Sequence, residues 1–71
     1  MSNYINDKVK IDFTVPDGLQ EFIDLAEEAD KNKNLGDYLA YIDEIDVLAK
    51  NCCACGSITE HQWDLLNCRY S

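Results

Sequence analysis

Along residues 8–15 apolar and polar side chains alternate, Val9, Ile11, Phe13 and Val15 against Lys8, Lys10, Asp12 and Thr14. A period of two predicts a strand with one apolar face. Pro16 ends it, and no other segment repeats the pattern, so this strand has no partner within the chain. Beyond Pro16 the period changes. Leu19, Phe22, Ile23 and Ala26 fall at i, i+3, i+4 and i+7, the stripe of an amphipathic helix, which opens at Pro16-Asp17-Gly18 and runs to about Asn32. Proline suits a first helical turn, and an acidic residue there complements the helix dipole. The polar run Lys31-Asn32-Lys33-Asn34 breaks the pattern. A second helix covers roughly residues 35–55, where Leu35, Tyr38, Leu39, Ile42, Ile45, Ala49, Cys52 and Cys53 keep helical spacing, flanked by Tyr41 and Leu48. Its apolar arc takes about half the circumference at ~100° per residue, so it packs on two neighbours. Gly56 supplies a left-handed stop. Thr59 and Gln62 form a capping box that starts a third helix over 60–70. Trp63, Leu66 and Tyr70 line one edge of its apolar face and Leu65 the other.

These periods predict an all-α fold, a small three-helix bundle with an N-terminal extended or strand segment. Residues 1–15 form the arm and 16–71 the three-helix domain. The expected core is Leu19, Phe22, Ile23, Leu39, Ile42, Ile45, Ala49, Leu65 and Leu66. A lone strand leaves N–H and C=O groups unpaired, and pairing residues 8–15 with a second copy would make a homodimer. Lys8 and Lys10 are equally placed to discourage it.

The chain has 71 residues, 14 of them acidic and 6 basic, for a formal net charge of -8. A domain this small has a thin core. The charge argues against nucleic acid, which needs clustered Lys and Arg, and against an anionic membrane surface. It favours a basic protein surface as partner. The N-terminal residues show no leader pattern and no stretch is apolar enough to span a membrane, which predicts a cytoplasmic protein with reduced thiols.

Little in the sequence carries chemistry. Cys52, Cys55, His61 and Cys68 admit a Cys3His zinc site as an alternative reading. His61 and Cys68, seven apart on one helix, have Cα atoms ~10.5 Å apart, which opposes it. No metal and no cofactor is therefore expected, with Cys53 buried in the core and Cys55 exposed. Asp30-x-Asn32-x-Asn34 imitates the start of a calcium loop, but Leu35 and Tyr41 stand where that loop needs Gly and Glu, so it reads as a polar turn. With one His, one Arg and no glycine-rich loop, no enzyme constellation is found. Asp46 falls at the edge of the apolar stripe. It is expected to link helices by accepting from Trp63 or Tyr38 or by pairing with Arg69.

The feature that points to a function is an acidic comb. Asp17, Glu21, Asp24 and Glu28 follow i, i+4, i+7 and i+11, within about 60° of one another and opposite the apolar stripe. Asp37 and Glu44 add a second line on the next helix. The comb reads as a binding face on a module that is not an enzyme. The alternatives are a structural homo-oligomer without ligand and a zinc-stabilised domain. If the comb is only a solvated face, the exposed aromatics Tyr4 and Tyr41 are the next candidates.

The segment from Glu21 to Asp30, then Gly36-Asp37-Tyr38, Ala49-Lys50-Asn51, and Ile58-Thr59 with Gln62-Trp63-Asp64-Leu65-Leu66 and Arg69-Tyr70, resembles small uncharacterised proteins of gut Firmicutes and their mobile elements. The likeness covers about residues 13–70. It implies a bacterial or phage cytosolic setting and carries no activity or functional residue with it.

Overall fold

Local signals in the sequence account for where each helix begins and ends. The structure, a computed structural model describing residues 3–70, contains α1 (Asp17–Lys31), α2 (Leu35–Ala54) and α3 (Glu60–Arg69). Pro16 caps α1, and its carbonyl accepts from Gln20 N–H at 2.8 Å. At the other end Lys33 N–H reaches the Asp30 carbonyl and Asn34 N–H the Ala29 carbonyl, a Schellman closure that needs a left-handed residue. Lys33 supplies it at φ 57°. Asn34 then caps α2, its side chain accepting from Asp37 N–H at 3.2 Å. Helix α2 closes in the same way through Gly56 at φ 82°, with Gly56 N–H on the Cys53 carbonyl and Ser57 N–H on the Cys52 carbonyl. The Thr59–Gln62 capping box is formed on both sides, at 2.9 and 3.1 Å.

The turn of residues 32–34 makes α1 and α2 an antiparallel hairpin. Helix α3 packs on α2 and has no seam with α1. The core is built from Leu19, Ile23, Ala26 and Ala29 of α1, Tyr38, Ile45 and Ala49 of α2, and Leu66 of α3, closed by Ile5, Val15, Ile58 and Tyr70.

Some of the expected core lies elsewhere. Leu39 is 50% exposed, and Phe22, Ile42, Leu65 and Cys53 are half-buried. For Leu39 the reason is length. Twenty residues make α2 ~30 Å long and ten make α3 ~15 Å. Asn67, near the end of α3, meets Asp46 in the middle of α2. The face that α3 covers thus continues uncovered through Leu39 to Leu35.

Residues 8–15 form no strand, and none occurs among the described residues. The alternation is nonetheless physical. Val9, Ile11, Phe13 and Val15 are half-buried or buried while Lys8, Lys10, Asp12 and Thr14 are exposed. The period reports an extended arm laid on the bundle, Ile11 and Phe13 packing against the core, rather than a hydrogen-bonded ladder. Its apolar side is turned inward against the bundle.

Candidate functional site

Helix periodicity sends one face of α1 into the core and the opposite face outward. Asp17, Glu21, Asp24 and Glu28 are all exposed, as are Asp37 and Glu44 on α2. Their hydrogen-bond partners are neutral. Gln20 donates to Asp24 at 2.9 Å, Asn32 to Glu28 at 3.3 Å, and Asn34 to Asp37 at 2.7 Å. These amides hold the carboxylates in place without cancelling their charge.

Between the two acidic lines runs the α1–α2 seam on the side away from α3. Phe22 and Tyr41 meet there with ring centroids 6.4 Å apart, tilted by 54°. Both rings are half-buried, and so is Leu48, two turns beyond Tyr41. Leu25, on the same flank of α1 as Phe22, is 39% exposed.

The opposite side of the hairpin is closed by charge and hydrogen bonding that the sequence did not reveal. Asp30, read above as part of a polar turn, is 4% exposed. Its carboxylate accepts the backbone N–H groups of Asn3, Tyr4 and Ile5, three successive donors from the arm. Successive backbone N–H groups of this kind form an anion-binding nest, here filled by the protein's own side chain. The Asn3 amide returns a bond to the Asp30 carbonyl. The Tyr4 ring lies 5.2 Å from that of Tyr38, and its hydroxyl donates to the Lys33 carbonyl at 3.1 Å. At the far end of the arm, Arg69 donates to the Val9 carbonyl at 2.8 Å, and its own carbonyl accepts from Asn6 N–H at 3.0 Å. Only a pattern of burial in three dimensions distinguishes Asp30 from the other acids of α1. Its wheel position, ~20° from Ile23 and ~40° from Ala26, is the one signal available in sequence.

Tyr70 ties α1 to the end of the chain. Its hydroxyl donates to Glu27 Oε2 at 2.8 Å and accepts from Arg69 Nε at 3.2 Å. Burial pushes the Tyr70 phenol up to about 12; Arg69 works against the rise, while the bond to Glu27 and that carboxylate's charge add to it. Burial also raises Tyr38, with the charge of Asp30 adding. A folded value above the unfolded one, ~10 for Tyr, means stability that is fully present below pH ~10 and lost as pH climbs through 12. Tyr70→Phe should therefore lower stability at pH 8 by about 0.5–1.5 kcal/mol, the worth of a hydrogen bond. It should also fall less than wild type between pH 10 and 12. Urea melts across that window check both; an unchanged alkaline slope would remove Tyr70 from the account.

The remaining candidates are not brought together. Cys52 is half-buried, Cys55 and Cys68 are exposed, and His61 is exposed in the first turn of α3. No group of three or more His, Cys, Asp or Glu side chains is arranged to hold a metal among the described residues. Asp46 does not pair with Arg69 and touches neither Trp63 nor Tyr38 directly. It is exposed, and Asn67 links it to Trp63. With its amide turned to suit both neighbours, Asn67 donates to Asp46 Oδ1 at 2.9 Å and accepts from Trp63 Nε1 at 3.2 Å. The buried Tyr38 hydroxyl has no hydrogen-bond partner among the described residues. No described helix is long and apolar enough to cross a membrane.

Comparison with protein-family models, curated proteins and solved structures found no match to the chain.

Proposed function

We propose that this protein is a small protein-binding module, not an enzyme, which docks a basic protein surface on the acidic face of α1 and α2. The observation that carries the reading is the comb: four carboxylates on one exposed line of α1, held by neutral amides where they have partners. Such charges at i,i+4 repel one another, so beyond Asp17, which complements the helix dipole in the first turn, the arrangement suits a partner better than it suits the fold. An accessory or inhibitor protein of a mobile element is the role proposed with it. Mimicry of nucleic acid would be partial, because the comb carries a charge every ~5.5 Å against ~1.7 Å along duplex DNA.

Electrostatic contact of this kind acts on association rate and salt dependence. Replacing Asp17, Glu21, Asp24 and Glu28 together by Asn or Gln is expected to leave stability equal or slightly raised. The same variant should lose binding to an oligolysine peptide that wild type holds at low salt. Wild-type binding should weaken as the Debye length shortens from about 10 Å at 0.1 M. Calorimetric titration at two salt concentrations reads this out. Equal affinity and equal salt response in the variant would reduce the comb to a solvated face.

A further inference from the structure

The arm, Tyr70 and α3 cover one side of the α1–α2 hairpin. The other side is open, and its surface has an order. Taking ~100° per residue, Leu25 and Phe22 lie on the flank of α1 toward this side, with Glu21 and Glu28 ~40–60° beyond Leu25. On α2, Tyr41 and Leu48 lie ~20° apart, with Asp37 and Glu44 ~20–60° beyond them. Across the hairpin the sequence of surfaces is acid, apolar seam, acid. The seam holds the Phe22–Tyr41 ring pair and the exposed Leu25.

Resting on the reading of the comb as a binding face, we propose that the partner's contact element is a basic amphipathic helix laid along the Phe22–Leu25–Tyr41–Leu48 seam. Its apolar stripe would meet the seam and its cations the acidic rims. Three features favour that occupant. Tyr41 and Leu48 are seven residues apart and span ~10.5 Å, the separation of anchors at i and i+7 on a second helix. An amphipathic helix carries polar side chains on both sides of its stripe and so reaches both rims. A strand with one apolar face turns its polar side chains away. Aromatic side chains are enriched where such interfaces are dry. A second copy of this chain is disfavoured, because its rims would set carboxylates against carboxylates in a protein of net charge -8. The other exposed apolar pair, Leu35 and Leu39, has no aromatic pair, so it fits a basic helix less well.

The test is a titration of the isotope-labelled protein, followed by NMR, with three probes: a Leu/Lys peptide patterned as an amphipathic helix, a scrambled peptide of the same composition, and oligolysine. The proposal expects the patterned peptide to bind tightest, with the largest shifts at Phe22, Leu25, Tyr41 and Leu48. Leu25→Gln should weaken that peptide about tenfold, as loss of a buried leucine contact would. Leu39→Gln should leave it unchanged. Both substitutions are at exposed positions, and their melting curves verify the fold. If the scrambled peptide and oligolysine bind as tightly, and Leu25→Gln has no effect, the helix proposal fails while the acidic-face reading stands. If no probe binds at low salt, both fail. If the protein alone sediments as a dimer that Leu25→Gln dissociates, the seam is a self-interface and the proposal is overturned.

Discussion

Asp30→Ala is expected to cost about 2–4 kcal/mol, since it removes the acceptor for several part-buried donors at once. In a domain of this size that is a fall of more than about 10 °C in melting temperature. The carboxylate collects the N–H groups of Asn3, Tyr4 and Ile5 beside its own helix end. Asp30→Asn is expected to cost less, because it keeps one oxygen where Oδ1 takes all three N–H groups and sets its NH2 only against the Asn3 N–H that reaches Oδ2 at 3.3 Å. Bonds from N–H to a charged acceptor are about twice as strong as neutral ones, so the remaining contact weakens as well. The arm should detach first. Amide exchange at Asn3, Tyr4 and Ile5 is expected to rise far more than at Leu19 or Ile45. A melting temperature within a few degrees of wild type, with those amides still protected, would show that the arm is held by Ile5 and Arg69 without the carboxylate.

The helices and their ends were legible because they rest on local rules. Apolar spacing, Thr59 with Gln62 and the left-handed Gly56 each act within a few residues. The arm's period left an extended segment and a strand both open for a related reason. Period-two burial is the same whether the far side of the segment is a sheet neighbour or a bundle surface, and only a partner strand distinguishes them. Leu39 was misplaced because a wheel reports direction and not the length of the neighbouring helix. The comb was visible from spacing alone, since nothing distant alters an exposed face. The seam was not, because it exists only when α1 and α2 are placed side by side. Phe22 looks like core and Leu48 like the flank of a stripe in sequence, and half-burial is a property of the assembled hairpin. Asp30 needed the same step, since three donors arrive from residues more than twenty positions away.

Ile45→Ala is expected to be the most damaging single core substitution, at about 2–5 kcal/mol from lost transfer energy and the cavity left behind. Ile45 is 2% exposed and lies on the arc of α2 between the side that meets α1 and the side that meets α3. Removing its branched side chain opens both contacts, and the thin core has little to collapse inward. A chain of 71 residues has a total stability of roughly 4–10 kcal/mol by the usual per-residue range, so this variant stands near the edge of folding at 37 °C. Leu39→Ala, one and a half turns earlier on the same helix, is expected to fall within about 0.5 kcal/mol of wild type, because half of Leu39 already faces water. Urea denaturation at 25 °C separates the two directly; equal losses would mean that α3 covers more of α2 than its ten residues allow.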